Sequence, residues 1–344
     1  MGYRSYQTRN GRIMRDVRVI TTVTGDIPAS ELGICQCHEH IMLRPGVPAA
    51  LNPALQADDV GKSALEVAQY IRCGGTSLVD AQPVGCGRMP AELKQIAEDT
   101  GAVLIASTGF HLQRFYPTQH WIHTIAQTRL EELFVHELTV GLYENADRAL
   151  AGPVLPIRAG IIKTACEGGP LSQNSRRLFA AAARAALRCG TPVMIHTEKG
   201  CDPLEVLDYL CGFGLPPQQL LFCHLDRTMS DQRITAQLCK EGAYIEHDTI
   251  GRFKYHSDHE EIRLILELLD QGFDRQLLLS LDTTNQRMYS YGGKIGLDYL
   301  LDVFLPMLER AGVTQEMLRT ITRENPAHAL GCPYIGRREH QFYE

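Results

Sequence analysis

Apolar residues along this chain fall into two alternating rhythms. Short aliphatic and β-branched runs, ICQCHEH, TSLVDAQ, VLIASTGF, RAGIIKTA, PVMIHTE, LLFCHLD, AYIEHDT and LLLSLDTT, make eight strand candidates. Between them, segments such as SALEVAQYIRCG, PAELKQIAEDTG, SRRLFAAAARAALRCG and EEIRLILELLDQG space their apolar residues three and four apart, as helices with one buried face require. Many of these segments end in Gly, a natural helix stop. Strands that are apolar at most positions are covered on both faces, so the alternation predicts an α/β chain whose parallel sheet closes into a single (β/α)8 TIM barrel domain spanning 1–344. A doubly wound open sheet is the rival, but no Gly-x-Gly-x-x-Gly turn follows the first strand and no Walker loop occurs. Residues 12–33, including TVTGDIPAS, read as a small N-terminal β-hairpin cap, and 334–344 as a polar tail.

Composition narrows the function class. The 344 residues are 44% hydrophobic and 22% charged, and 34 basic against 40 acidic side chains leave a net charge of -6, which argues against nucleic acid as a partner. No apolar run is long enough to cross a bilayer, the polar start MGYRSYQTRNGRIMRDVR lacks the apolar centre of a secretory signal, and Tyr6 spoils a myristoylation signal. The 11 cysteines, odd in number and without a Cys-x-x-Cys pair, suit a reduced compartment better than a disulfide or zinc framework. A cytoplasmic location is therefore expected.

The chemistry gathers at strand ends. In ICQCHEH, residues two apart share a face, so His38 and His40 point one way and Cys35, Cys37 and Glu39 the other. Lys163, His196, His224 and Asp282 stand near the C-terminal ends of the fourth, fifth, sixth and eighth strands, the face on which barrels build sites. Four imidazoles and a carboxylate suit zinc, manganese or cobalt. An ammonium beside dications would be unfavourable, whereas a buried lysine held neutral captures carbon dioxide as a carbamate that bridges two metals. The plain alternative pairs Lys163 with a carboxylate such as Glu198.

Over nearly all its length the chain resembles the phosphotriesterase-like branch of the amidohydrolase superfamily, on the strength of HEH, AGIIK, IHT, CH, the SLD of strand eight and ENPAHAL. The resemblance implies two divalent ions, the first held by His38, His40 and Asp282 and the second by His196 and His224. Lys163, carboxylated by CO2, would bridge both with a hydroxide, Asp282 would accept the proton, and the enzyme would be a homodimer. Some relatives carry Glu at the bridging position, where this chain keeps Lys.

Substrate has to be read from the loops. Arg252 and Lys254 in TIGRFKYHS, and Arg287 in DTTNQRMYSYGG with Tyr289 and Tyr291, follow strands seven and eight, where barrels habitually bind phosphate. The alternative is that these are solvated loop cations. Phosphotriesterases proper resemble one another in an Asp and His pair behind the metal aspartate; the corresponding positions here are Arg227 and Thr249, which weakens an organophosphate reading. The loop GFHLQRFYP offers His111, Arg114 and Tyr116, a polar wall. A lactonase is expected, acting on a sugar lactone, with an anionic, phosphorylated one pointed to by the cations. Phosphotriester or N-acyl amide hydrolysis is the enzymatic alternative. A non-catalytic metal-binding module is the alternative of another class, against which the joint presence of Lys163 and Asp282 speaks.

Overall fold

The computed structural model describes residues 18–150 and 152–333, together with the backbone of a short antiparallel pair, Tyr6–Gln7 with Ile13–Met14. The tail 334–344 lies outside the described residues. All eight expected strands form: β1 Cys35–Glu39, β2 Ser77–Asp80, β3 Val103–Gly109, β4 Ile161–Cys166, β5 Val193–Thr197, β6 Leu220–Cys223, β7 Tyr244–His247 and β8 Leu277–Leu279. They pair in parallel in chain order from β1 to β8, each with the next. The two edge strands face each other: the Asp282 N–H donates to the His38 carbonyl at 3.1 Å, and the Glu39 carboxylate accepts from the Leu281 and Thr283 N–H groups, both at 2.8 Å. The sheet is thereby all but closed into a barrel.

Helices cover its outside for the reasons their sequences give. In Gln173–Cys189, Ser172 caps the start by accepting from the Ser175 N–H. Leu178, Phe179, Ala182 and Ala186 face the barrel, and the helix ends at Gly190 with φ 69°. Small alanines let this helix lie close to the strands, while Leu178 and Phe179 bury aliphatic and aromatic area worth roughly 1.5–3 kcal/mol each.

The N-terminal end of the barrel is sealed by a three-stranded antiparallel sheet. Its hairpin, Arg18–Thr22 with Gly25–Pro28, is the expected cap; its third strand, Cys332–Pro333, comes from the far end of the chain. Ile20, Leu32, Ala329 and Leu330 pack there against an interior floor of Cys35, Val79, Ile105, Ile161, Met194, Leu221 and Leu278.

One strand departs from regular alternation. The pairing of β1 with β2 shifts register between Gln36 and Glu39, the signature of a β-bulge. Cys35 and Cys37 lie in the interior floor, yet His38, the next residue, also points inward and lies against Lys163. The expectation that His38 and Cys37 occupy opposite faces is therefore corrected: the bulge turns the end of the strand over, bringing His38 and His40 into the barrel above the cysteines.

Candidate metal centre

A cavity of about 180 Å³ opens at the C-terminal ends of the strands, with His40, His111, His196, His224 and Asp282 among its lining residues. Beneath it, Lys163 is fully buried, with Nζ 2.9 Å from His38 Nε2 and 3.4 Å from Met194 Sδ. Lys163 has no carboxylate within ion-pair distance among the described residues, and burial lowers its pKa. Glu198, its alternative partner, instead accepts from Arg114 at 2.5 Å and stands 4.0 Å from His196 Nε2. A charged ammonium here would have no carboxylate in contact, and burial outweighs the more distant pull of Asp282, Asp248 and Glu246, which favours a neutral amine.

The four histidines share one design. Each turns one ring nitrogen inward and rests the other near an acceptor. His40 Nδ1 lies 2.9 Å from Gln82 Oε1, leaving Nε2 3.4 Å from Asp282 Oδ1. His38 Nδ1 lies 3.2 Å from Asp248 Oδ2, leaving Nε2 toward Lys163. His224 Nδ1 lies 2.7 Å from Asp248 Oδ1, and His224 Nε2 lies 2.8 Å from His196 Nδ1, whose other nitrogen faces Glu198. Hydrogen bonds to Gln82 and Asp248 fix the tautomers of His40 and His224, and Asp248 and Glu198 stand behind His38 and His196 at longer range, so that free lone pairs converge as in metal-binding histidines. His38, His40 and Asp282 bring ligand atoms within 4.8 Å of one another, as do His224, Asp248 and Asp282. The donor set therefore fits divalent ions.

Electrostatics agree with that use. Burial first, then the Lys163 charge, pulls His38 down to about 3; burial likewise pulls His196 to about 4 and holds His111 and His224 well below the ordinary imidazole range. The three of these that would be ligands, His38, His196 and His224, are neutral at pH 7, as ligands must be. Burial alone would raise Asp282, but Arg252 and Arg227 override it and keep this carboxylate well below its usual range. Arg252 Nη1 and Arg227 Nη2 both donate to its Oδ2, at 2.6 and 2.9 Å.

The backbone is shaped for the same end. His224 and Asp282 leave their strands in the left-handed region, φ 69° and 46°, a strain non-glycine residues accept mostly at functional sites. Gly109, with φ 101°, has to be glycine: a Cβ there would meet the Lys163 carbonyl oxygen at 1.9 Å.

The expected substrate residues divide. Arg252, Lys254, His111 and Arg114 line the cavity; Arg287 and Tyr291 do not. Arg287 is half-buried behind the wall, donating to the carbonyls of Leu281 and Ile250 and so pinning two loops together. The Tyr291 hydroxyl donates to the Asp59 carbonyl at 2.9 Å and bonds Ser63 Oγ at 2.9 Å, bracing the loop after β1. The structure does not bring either of them into the cavity: the Arg287 Nη atoms and the Tyr291 hydroxyl are bonded elsewhere. Tyr116 spends its hydroxyl on the His111 N–H, and Tyr289 is half exposed outside the cavity.

Three functional residues escaped the sequence reading, or were given another role by it: Gln82, Asp248 and Glu198. Asp248 was findable, because it stands at the C-terminal end of β7 just as the chosen ligands end theirs.

The sequence profile of the phosphotriesterase family matches residues 18–330. The chain belongs to that family. It is a metal-dependent hydrolase acting on ester bonds. This family member is 31% identical to the phospho-furanose lactonase of Mycoplasmopsis synoviae (strain 53) over 322 residues, covering 90% of each chain. It is 26% identical to the N-acetyltaurine hydrolase of Xenopus tropicalis, covering 90% of this chain and 97% of that one. Among solved structures, the crystal structure of an amidohydrolase from Mycoplasma synoviae superposes with a TM-score of 0.88 at 30% identity, covering 92% of this chain and 93% of that one.

Proposed function

We propose that this protein is a lactonase that opens an anionic, phosphorylated sugar lactone, using two divalent ions held between the barrel strands. The observation that carries the reading is the union of a convergent histidine cage around Lys163 with a cavity wall bearing Arg114, Arg227, Arg252 and Lys254. Similarity to a phospho-furanose lactonase supports it. His38, His40 and Asp282 would hold one ion, His196 and His224 the other, and Lys163 as its carbamate would lie between. Zinc, manganese and cobalt all accept these donors. When bound there, such ions would supply hydroxide at neutral pH and polarise the oxygen of the bond to be broken.

The chain's own residues do the rest. Asp282 keeps Oδ2 on two guanidiniums and has Oδ1 on the side of His40; that oxygen takes the proton of the attacking water and returns it to the ring oxygen as the lactone opens. Arg227 and Arg252 hold Asp282 anionic between turnovers. Lys254, exposed at the cavity mouth and without an acidic partner among the described residues, meets the phosphate end. His111, whose ring centroid is 4.9 Å from that of His196, stands over the second ion position and contacts the substrate.

Amide hydrolysis of an N-acyl compound is a second reading, favoured by the similarity to an N-acetyltaurine hydrolase. A homodimer in the cytoplasm completes the proposal; no described helix is long and apolar enough to cross a membrane. The test is metal-reconstituted hydrolysis of sugar lactones with and without a terminal phosphate, neutral lactones, phosphotriesters and N-acyl amides, read by acid release for the lactones and triesters and by amine release for the amides. Preference for phosphorylated lactones is expected. Equal turnover of neutral lactones would remove the anion site, preference for amides would replace the reading, and inactivity on all would leave a binding module.

A further inference from the structure

The acceptors behind the four histidines are unevenly shared. Gln82 serves only His40 and Glu198 only His196, one for each ion of the proposed pair. Asp248 serves both ions at once. Its Oδ2 lies 3.2 Å from His38 Nδ1, and its Oδ1 lies 2.7 Å from His224 Nδ1. The same carboxylate accepts from the His224 backbone N–H at 3.2 Å and from Arg227 Nη1 at 3.4 Å. His38 Nδ1 makes no regular hydrogen bond, and Asp248 is its nearer acid, with Glu246 3.9 Å away.

The backbone beneath Asp248 is pinned, so its carboxylate can shift only by turning about its own side-chain bonds. Asp248 is fully buried, and its own N–H and that of Thr249 both donate to Asp226 Oδ2, at 2.9 and 2.8 Å. A movement that favours His38 must therefore be taken from His224, and the reverse. Ordering either ring on an ion fixes the carboxylate for the other ring.

We propose that Asp248 is a positioning residue that couples the two ion sites, orienting one histidine of each so that the ions load together. The inference rests on the two-ion reading above. Its basis is geometric: one carboxylate on a pinned backbone, shared by two imidazoles that belong to two sets of ligands. Carboxylates behind metal-binding histidines typically change metal affinity roughly 10–100-fold when removed. Here a single substitution should be felt at both sites.

The experiment uses the full chain, stripped by chelator and titrated with Co²⁺ alone. Ions per chain are read by native mass spectrometry and elemental analysis, and ligand geometry by the visible Co²⁺ spectrum. In the unsubstituted protein at half-saturation, the ion-free and two-ion forms should dominate over the one-ion form. Asp248→Ala should weaken both ions roughly 10–100-fold. Asp248→Asn keeps one carbonyl oxygen, enough for one ring, and should leave one ion tight and the other weak. Gln82→Leu should weaken one ion only. If Asp248→Ala weakens a single ion, or the unsubstituted protein fills stepwise through a dominant one-ion form, the coupling is overturned. The second result is decisive even where Asp248→Ala fails to fold. Saturation of the unsubstituted protein below two ions would overturn the two-ion reading itself, and the coupling with it.

Discussion

The interior of this barrel has a lower and an upper half made by the same strands, and they differ in nearly every physical respect. Below lie Ile161, Met194, Leu221 and Leu278, packed against Cys35 and the terminal cap. One pleat higher, the same strands present Lys163, His196, Cys223 and Ser280, and beyond these Asp282. A step of two residues thus carries the chain from a dry floor that stabilises the fold to a polar layer that costs desolvation and is held by a web of acceptors. Stability and chemistry are stacked along the barrel axis rather than mixed, so each half can be altered with a distinct readout.

The largest expected effect is in the upper half. Lys163→Met should lower lactone hydrolysis at least about a hundred-fold, because losing the bridge disturbs both ions, while the unfolding midpoint of the metal-free protein stays equal or rises, a buried amine having been replaced by an apolar chain. A large fall in stability with full residual activity would refute the separation. The complementary change below, Ile161→Ala, removes a fully buried side chain. It should cost roughly 2–5 kcal/mol in denaturant unfolding and leave kcat unchanged at temperatures where the protein is folded. A smaller change lies at the mouth: Lys254→Ala should raise KM for a phosphorylated lactone about tenfold, one interaction of about 1.4 kcal/mol, and leave neutral lactones unaffected.

The smallest effect concerns pH. Burial pulls His196 from the ordinary imidazole value of 6.5 to about 4 in the folded protein. Between those values the unfolded chain binds a proton that the folded chain refuses, so this histidine's contribution to stability is full above pH 6.5 and is lost as pH falls toward 4. The metal-free protein should consequently lose more stability between pH 7 and 5 than its His196→Asn variant does. Equal losses in denaturant titrations at the two pH values would contradict this.

These expectations stand on residues that were unequally legible. The eight strands were readable because apolar runs bounded by helical periodicity leave little choice, and Lys163, His196, His224 and Asp282 were readable because each ionisable group interrupts such a run near its end. The pairing of each histidine with Gln82, Asp248 or Glu198 was not, since contacts between different strands depend on register and closure rather than on spacing. Arg287 and Tyr291 show the converse. Sequence displays a cation or a hydroxyl in a loop after strand eight, but not the carbonyls of Leu281, Ile250 and Asp59 that consume them. The face of His38 was foreseen as shared with His40, yet its relation to Cys37 was inverted by the bulge.

That bulge has a practical consequence for anyone aligning or rebuilding this chain. Within residues 36–39 the reading frame between sequence position and barrel face changes by one. Moving the His-x-His segment onto a straight strand, or sliding an alignment gap across it, would exchange the pocket for the helix-facing side while leaving every residue identity intact. A homologue scored as lacking the histidine pair should first be checked for a displaced gap at this spot, since a one-residue offset is sufficient to hide it.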